Sequence, residues 1–355
     1  MDTKNVAQWL SPYIAPFFTL QYPTQTPEHP DSFPEFGYYN AGKADICLVI
    51  TCIAVMAVLR DAFRLGIFEP FARWKLSSDL ERKRRQPSHN NGNGKTINGN
   101  GHVNGSGNIY PTRNDIRHMN RSVLRFAEQG WSVVYYTVQW SFGLFVHRNL
   151  PTEIFDAKDL WLQYPHIPLA APIKLYYLTQ TAFYMHQILI LNAEARRKDH
   201  AQMMAHHIIT VILMVTSYFT NFTRVGCVIM VLMDWCDIFL PLAKMIRYID
   251  ISQMACDLTF ACFLVSWLVT RHFLFLFVIY STVIQLPKHV PFMLDTERGY
   301  YLTKSAYVAF CVMLGALQVL QCIWFWMICR VAWRVITTGN GASDDRSDEE
   351  DEKDD

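Results

Sequence analysis

An uncharged run of 25 residues close to the C-terminus constrains the fold of this chain more than any other feature. Residues 305–329 (SAYVAFCVMLGALQVLQCIWFWMIC) contain no Asp, Glu, Lys or Arg. A helix of this length, at ~1.5 Å per residue, covers the ~30 Å hydrocarbon core of a bilayer. The run therefore predicts a transmembrane helix and disfavours an ordinary soluble domain.

Six further apolar segments precede this run, and several of them are interrupted by polar or charged residues. They cover residues 44–67, 130–147, 171–192, 205–221, 224–245 and 254–281. Buried helices of a large soluble protein would explain a few such runs. They do not explain seven runs with Trp and Tyr near many of the ends, a pattern typical of membrane-spanning helices. We therefore expect an all-α, polytopic membrane protein with about seven transmembrane helices.

The formal net charge of +1 hides regions of opposite charge. Residues 344–355 hold nine acids and two bases, a net charge of −7, which leaves +8 for the rest of the chain. Lys and Arg concentrate in residues 70–129 and 196–198, as they do on the cytosolic side of membrane proteins. We expect the C-terminal tail on that side and the N-terminus on the luminal side, where residues 1–43 lack the pattern of a cleavable signal.

All nine cysteines lie inside predicted spans, and the sequence has no CxxC pair or Cys/His spacing typical of a zinc site. Cysteine in such positions behaves as a small packing residue. The chain also has a single His-His pair, whereas di-iron membrane oxygenases need several histidine clusters. We therefore expect neither a disulfide framework nor a bound metal.

Ionisable residues inside the spans are the candidates for a functional site, because they are costly in a membrane and usually mark a site or pathway. In the fifth span Asp234 and Asp237 share a helix face at i, i+3, and His206 and His207 are adjacent in the fourth. If the chain reverses near Phe222, His207 and Asp237 each lie about fifteen residues, or ~22 Å, from the turn along antiparallel helices. The two pairs should then meet at one depth, in the cytosolic half of the membrane.

Two carboxylates and two imidazoles in a low dielectric form a plausible acid-base arrangement, because an aspartate fixes the tautomer of a histidine and stabilises its charged form. Adjacent side chains point ~100° apart on a helix. One imidazole is therefore expected to do the chemistry while the other orients a partner or lines the wall. The alternative is packing: a lone histidine such as His186 or His272 more often packs, and an intramembrane Asp can pair with a Lys to hold helices together.

The segment that contains both pairs resembles the Lag motif of ceramide synthases, which are members of the TLC-domain superfamily. The matching positions are His206, His207, Thr210, Leu213, Ser217, Tyr218, Asn221, Arg224, Gly226, Asp234, Asp237, Leu240, Ala243 and Lys244. Segments 161–184 and 317–330 are also similar to the family, so the resemblance covers about residues 120–335. One departure is Met233, where the family usually has a histidine, and this Met together with the Asn/Gly-rich insertion is similar to fungal-type members.

The resemblance and the composition together divide the chain into five parts. Residues 86–108 are rich in Asn and Gly and contain almost nothing that enters a core, which is typical of disorder. The expected parts are a luminal N-terminal segment (1–43), a first transmembrane anchor (44–68), a cytosolic loop with the disordered stretch (69–119), a TLC catalytic domain with a six-helix bundle (120–335), and an acidic disordered cytosolic tail (336–355).

The resemblance implies transfer of a fatty acyl group from acyl-CoA to the amine of a sphingoid long-chain base, sphinganine or phytosphingosine, at the endoplasmic reticulum. The product would be a (dihydro)ceramide. An amine with a pKa near that of Lys, ~10, is mostly protonated at neutral pH and needs a base before it attacks a thioester. His206 or His207 would be that base, or one of them would carry the acyl group as an acyl-imidazole. Asp234 and Asp237 would orient the imidazole, balance its charge or hold the substrate ammonium.

Other polar residues of these spans are expected to bind substrate or to pack. Basic residues at the cytosolic opening would contact the phosphates of CoA, with the positive-inside bias as the alternative explanation: Arg196, Arg197, Lys198 and Lys244. Deeper residues would bind the far end of the acyl chain or pack helices: Ser217, Tyr218, Asn221 and Arg224. Arg271 is an intramembrane cation for which we expect an acidic partner.

No cofactor is expected apart from acyl-CoA, which is a co-substrate. The expected partners are acyl-CoA, the long-chain base and membrane lipids, with a homo- or heterodimer or a small accessory subunit as further possibilities and no nucleic acid. The alternative function is that of a non-catalytic TLC-domain protein of the endoplasmic reticulum that binds or transports lipids.

Overall fold

The computed structural model describes residues 11–28, 30, 32–85, 113–152, 156–193 and 199–338. Three groups of expectations fall outside these residues. They concern the Asn/Gly-rich stretch, the acidic tail from residue 339 onward, and the three basic residues Arg196, Arg197 and Lys198.

The described chain is almost entirely helical, which confirms the predicted all-α class. A π-helical turn, Arg64–Phe68, joins α2 to α3, and a second one, Leu268–Leu274, joins α8 to α9. The helices are α1 (Ala15–Phe18), α2 (Asp45–Phe63), α3 (Glu69–Arg85), α4 (Arg113–Arg148), α5 (Ala171–Ala193), α6 (His200–Phe219), α7 (Thr223–Tyr248), α8 (Gln253–Trp267), α9 (Phe275–Ile284), α10 (Leu286–His289) and α11 (Lys304–Thr338).

Long helices occupy all seven of the segments predicted to span the membrane. Within the described residues, five helices are long and apolar enough to cross a membrane: Asp45–Arg82, His200–Phe219, Thr223–Tyr248, Gln253–Ile284 and Lys304–Thr337. The other two, α4 and α5, carry more polar side chains, among them the buried Gln139, Gln180 and His186. These polar groups face protein, which is where intramembrane polar residues are tolerated.

Six helical units form a bundle around a central space, as the TLC-type prediction requires. Helix α4 packs along α7, α7 packs against α8, α5 packs against α6, and α11 packs against α6 and α9. Helix α2 lies outside this ring and packs on α5. The end of the bundle at which α6 begins and α7 finishes is called the basic end below, and the opposite end is called the sheet end.

A small sheet at the sheet end attaches the N-terminal segment to the bundle, a contact that the sequence did not predict. Strands β1 (Pro23–Thr24), β2 (Tyr38–Tyr39) and β3 (Leu169–Ala170) pair antiparallel in that order, with Tyr38 opposite Ala170. Strand β3 leads directly into α5, so the sheet joins the N-terminal segment to the first turn of that helix.

A buried ion pair strengthens this attachment. Lys174 of α5 is fully buried, and its Nζ lies 2.8 Å from Oδ1 of Asp45, the first residue of α2. The same ammonium donates to the backbone carbonyls of Gln21 and Asn40, each at 2.8 Å. The N-terminal segment is therefore part of the packed structure and not a separate appendage.

The predicted loop 69–119 is helical at both ends, which differs from the expectation of a loop. Helix α3 continues from α2 because the π-helical turn between them does not interrupt the run of helical residues. An ion pair one helical turn apart, Lys75 to Asp79 at 2.6 Å, supports α3. Helix α4 then begins at Arg113, well before the predicted span that it contains.

Candidate active site

Two cavities with shared lining residues lie inside the bundle. A wide cavity of about 930 Å³ occupies the basic end and is lined by residues from all six helical units. A narrow apolar tunnel continues toward the sheet end. His206 and Tyr184 line both cavities, so they mark the junction between the wide cavity and the tunnel.

The wide cavity has a basic lining. Its cationic residues come from α2, α4, α7, α11 and the turn after α8: Arg60, Arg125, Lys244, Arg247, Arg271, Arg330 and Arg334. Three acids, Glu128, Asp199 and Asp237, line it as well. Lys244, which the sequence analysis placed at the cytosolic opening, is one of these cavity-lining cations. An excess of cations around a concave space attracts anionic ligands.

The two imidazoles point in different directions, as expected for adjacent residues of a helix. His206 lines the junction, and its ring centroid lies 5.2 Å from that of Trp324 and 5.4 Å from that of His207. His207 lines the wide cavity, and its Nδ1 lies 2.7 Å from the carbonyl oxygen of Met203. Because a carbonyl only accepts, Nδ1 of His207 carries a proton, and the neutral ring then has its lone pair at Nε2.

Asp237 lies in the wide cavity with both imidazoles, so the depth count along α6 and α7 holds. Its Oδ1 is 2.7 Å from a guanidinium nitrogen of Arg271, and its side chain is 25% exposed to the cavity. Asp237 is thus the acidic partner expected for the intramembrane cation at position 271. Arg271 joins the π-helical turn after α8 to the side of α7 that faces the wide cavity.

Arg271 is itself held on several sides. It donates to the carbonyl oxygen of Met233 at 2.9 Å and to Oε1 of Gln321 at 3.0 Å, and its guanidinium lies 4.1 Å from the ring centroid of Trp267. A planar cation with several donors suits such a buried, multiply bonded position. The side chain of Met233, which stands where the family usually has histidine, lines the tunnel.

Asp234 does not belong to either cavity, which differs from the prediction that grouped it with the imidazoles. It is fully buried and accepts a hydrogen bond from Nε2 of Gln180 on α5. Oε1 of that amide accepts from the hydroxyl of Tyr135 at 3.1 Å. The side chain therefore joins α7 to α4 and α5, because the ring of helices presents it to those neighbours and not to the central space.

Within the described residues, neither carboxylate makes a hydrogen bond to His206 or His207. The expectation that an aspartate orients the imidazole is therefore wrong in its geometry. The carbonyl of Met203 orients His207, and Asp237 is oriented by Arg271. Sequence reasoning missed Gln180 as the partner of Asp234, although a glutamine inside an apolar span follows the same rule that singled out the aspartates.

Of the four deeper motif residues, Ser217 lines the tunnel, and its hydroxyl lies 3.0 Å from that of Tyr177. Tyr218 lies outside the lining of both cavities and donates to Oδ2 of Asp45 at 2.7 Å. It thus joins α6 to the ion pair between α2 and α5. This contact differs from the predicted role in binding substrate.

Asn221 and Arg224 fasten loops at the sheet end and also lie outside the lining of both cavities. Nδ2 of Asn221 donates to the carbonyl of Gly299 at 2.9 Å, and Arg224 donates to the carbonyls of Asp159 and Leu162 at 3.0 and 3.1 Å. Asn221 has φ of 65°, a left-handed conformation that Asn tolerates better than most residues. Their contacts agree with helix packing, which the sequence analysis gave as the alternative to substrate binding.

Two other histidines of the spans, His186 and His272, line neither cavity. His186 is buried in α5 and its ring nitrogens make no hydrogen bond within the described residues, while Nδ1 of His272 lies 3.0 Å from Nε2 of Gln318. All nine cysteines are free thiols. Across the described ranges, no group of three or more His, Cys, Asp or Glu side chains is arranged to hold a metal ion.

Comparison with known proteins identifies the family. The pattern of the TLC domain matches residues 125–330. Sphingosine N-acyltransferase lag1 of Schizosaccharomyces pombe is 34% identical over 345 residues, which are 97% of this chain and 75% of the relative. Ceramide Synthase FUM18 of Gibberella moniliformis is 31% identical, over 91% of this chain and 71% of the relative.

A plant protein shares the same region. Ceramide synthase LOH2 of Arabidopsis thaliana is 35% identical over 235 residues, which are 65% of this chain and 77% of the relative. The region matched by the TLC-domain pattern contains all residues that line the tunnel and most of those that line the wide cavity, with Arg60, Ser122, Val331 and Arg334 outside it. The chain belongs to the TLC-domain family, in the group whose members are named ceramide synthase or sphingosine N-acyltransferase.

Proposed function

We infer that this chain is a ceramide synthase, which transfers a fatty acyl group from acyl-CoA to the amine of sphinganine or phytosphingosine. The products are (dihydro)ceramide and free CoA. The names of its relatives support this function. The observation that carries it is the position of His206, at the junction of a wide basic cavity and a narrow apolar tunnel.

The two cavities match the two halves of acyl-CoA. The nucleotide and pyrophosphate are anionic and large, which suits the wide cavity with its lysine and arginine lining. The fatty acyl chain is apolar and flexible, which suits a tunnel lined by residues such as Leu213, Met214 and Leu317. With each half in its cavity, the thioester lies beside His206.

His207 is suited to act as general base. Its Nδ1 proton is bound to the Met203 carbonyl, which leaves Nε2 to accept a proton from the substrate ammonium. The neutral amine then attacks the acyl carbonyl, the carbon-sulfur bond breaks, and CoA leaves as a thiolate that takes up the second proton lost by the amine nitrogen. Asp237, in the same cavity, would hold the ammonium before deprotonation and balance the charge of the imidazolium.

Two routes lead to the same product. In the direct route the amine attacks the thioester, and in the covalent route His206 first takes the acyl group as an acyl-imidazole, which the amine then attacks. The place of His206 at the tunnel mouth supports it as the acceptor. Intact-protein mass spectrometry after incubation with acyl-CoA alone separates the routes, because only the covalent route adds one acyl mass.

The function is tested with the full-length protein, with any subunit that copurifies, in lipid nanodiscs. Sphinganine and acyl-CoA should give dihydroceramide with the wild type and none with a folded His206→Ala/His207→Ala variant. His186→Leu is the matched control, because that buried histidine lines neither cavity. Wild-type protein that binds both lipids without product, or a double variant with full activity, would establish the non-catalytic, lipid-binding alternative.

The proposed location is the endoplasmic reticulum membrane, with the N-terminus in the lumen and the C-terminus in the cytosol. The cations at the basic end support this orientation, because the same end then receives acyl-CoA from the cytosol. The catalytic domain is proposed to cover residues 120–335. We further propose that the reaction needs no cofactor, which activity retained after treatment with EDTA would support.

A further inference from the structure

The floor of the tunnel is formed by a residue from outside the membrane helices. Trp161 follows the short 3-10 helix Ala157–Leu160 in the connection between α4 and α5, yet it is 1% exposed and lines the tunnel. The rest of the tunnel runs along α6 from His206 through Thr210 to Ser217. The eleven helical steps from His206 to Ser217 span ~16 Å along the helix.

Trp161 lies at the far end of this path, among the residues that close the sheet end. It belongs to one buried cluster with Phe222, of the turn between α6 and α7, and with Leu286, of α10. All three also line the tunnel. Its ring meets that of Phe222 edge to face, with centroids 6.2 Å apart. The indole therefore stands across the end of the tunnel opposite His206.

The indole is held in place by a hydrogen bond to the bundle. Nε1 of Trp161 donates to Oγ of Ser281 on α9 at 2.7 Å, and that hydroxyl lies 3.3 Å from the carbonyl oxygen of Ala157, to which it donates. Rotation of the indole away from the tunnel would leave its buried N–H without an acceptor, which is unfavourable. The ring is thus a fixed stop and not a flexible side chain.

The loop that carries Trp161 is itself fastened. The Tyr164 hydroxyl donates to the carbonyl of Thr220 at 2.8 Å and accepts from the backbone N–H of Tyr301 at 3.2 Å. Burial raises the pKa of Tyr164 to about 12, so this hydroxyl stays protonated and able to donate at neutral pH. Arg224 holds the same loop through the carbonyls of Asp159 and Leu162.

We propose that Trp161 is a specificity-determining residue that sets the longest acyl chain the enzyme transfers. The proposal rests on the proposed function. With the thioester at His206, the acyl chain extends through the tunnel until its methyl end meets the indole. A longer chain would have to displace the indole or leave its own carbonyl short of the amine, so the reacting atoms would not align.

The test compares acyl-CoA substrates of increasing length in competition, with sphinganine and the full-length protein, and reads the ceramide products by mass spectrometry. Trp161→Ala should shift the product profile to longer acyl chains and raise kcat/KM at least tenfold for the first lengths that the wild type excludes. Ser281→Ala, which removes the acceptor of the indole, should produce a smaller shift in the same direction. Trp140→Ala is the matched control, because this tryptophan lines neither cavity.

The outcomes of this experiment separate the proposed role of Trp161 from the proposed acyltransferase function. An unchanged length profile in both active variants overturns the role of Trp161 while the acyltransferase function stands. If Trp161→Ala does not fold, the acyl-length profiles of Trp161→Leu and Ser281→Ala test the role of Trp161 in the same way. A wild type that forms no ceramide of any length overturns the proposed function itself, so the two failures are distinguishable.

Discussion

Arg271 and Asp237 form an ion pair of 2.7 Å inside the helical bundle, in the same cavity as His206 and His207. The pair joins the turn between α8 and α9 to the side of α7 that faces the wide cavity. It also holds a carboxylate beside two imidazoles without a direct hydrogen bond to either. Asp237 is therefore positioned by the turn between α8 and α9 and not by a residue of α6.

Replacing Asp237 tests whether this carboxylate takes part in the reaction. Asp237→Asn should lower kcat by at least ~100-fold, the range typical of a lost general acid-base or charge-stabilising group. The protein should remain folded, because Arg271 keeps its bonds to Met233 and Gln321. Asp234→Asn is the comparison, since Asp234 lines neither cavity and the new side chain still accepts from Gln180. Equal losses of kcat in both folded variants would contradict the separation of the two aspartates.

Removing Arg271 should lower the stability of the protein more than removing its partner Asp237. Arg271→Gln leaves Asp237 as a buried carboxylate without its counter-ion, a change that costs ~3–5 kcal/mol in other buried pairs. The melting temperature in detergent should fall clearly, and Arg271→Gln/Asp237→Asn should recover part of the loss. A double variant that melts lower than Arg271→Gln would show that the ion pair is not the source of the effect.

The two histidines should respond differently in a half-reaction. If His206 accepts the acyl group and His207 is the base, His207→Ala should accumulate the acyl-enzyme, whereas His206→Ala should form none. Both variants should lose at least ~100-fold in ceramide formation. Mass spectrometry of the intact protein after addition of acyl-CoA reads the adduct. An acyl adduct on the His206→Ala protein would mean that His207 accepts the acyl group and that His206 is the base.

Tyr218 should act on stability and not on substrate binding. Tyr218→Phe removes a hydrogen bond to the buried, charged Asp45, and such bonds contribute ~1.5–3 kcal/mol. The melting temperature should fall while KM for acyl-CoA and for sphinganine stays within twofold, an estimate that follows from the distance of Tyr218 from both cavity linings. A raised KM with unchanged melting would restore the substrate-binding role that the motif suggested.

The wall of the tunnel should not accept extra volume at Gly226. A Cβ at this position would collide with the hydroxyl of Tyr177, so Gly226→Ala should destabilise by ~1–3 kcal/mol. Gly315→Ala is the matched control on α11, because nothing lies within 4 Å of the Cβ it would add. Alanine favours helix by ~1 kcal/mol over glycine, so this control should melt no lower than the wild type. Equal melting of the two variants would contradict the close packing at Gly226.

A basic residue of the wide cavity should contribute to the affinity for CoA. Lys244→Gln should raise KM for acyl-CoA several-fold with little change in kcat, and the difference from wild type should shrink as ionic strength rises. Lys288→Gln removes the same charge from the sheet end, where no CoA is expected, and serves as the control. Equal effects of the two variants would mean that Lys244 acts only through the overall charge of the protein.

Much of the architecture was predictable because a bilayer imposes rules that are readable along one chain. The uncharged run at 305–329 and the other apolar segments each became a long helix, since a backbone in hydrocarbon must satisfy its own hydrogen bonds. The common depth of His207 and Asp237 followed from the constant rise of two antiparallel helices joined by a short turn. The helical conformation of the apolar segments and the common depth of these two residues both depend on local helix geometry alone.

The partners of the charged groups were decided only by the tertiary structure. Asp234 and Asp237 are one turn apart on the same helix face, yet one binds Gln180 in the core and the other binds Arg271 in a cavity. The arrangement of neighbouring helices around α7 separates them, and no spacing along the chain contains that information. The same holds for Trp161, whose sequence position lies between helices while its indole closes the tunnel.

The sequence by itself determined that this chain crosses a membrane, where its long helices lie, and that some of its ionisable residues lie near one depth. The tertiary structure decided which of those residues face a cavity, which hold helices together, and where the tunnel ends. The physical reason is that hydropathy and helical rise are properties of a single segment. A cavity and its lining exist only between segments, and they depend on how six helical units pack around a common space.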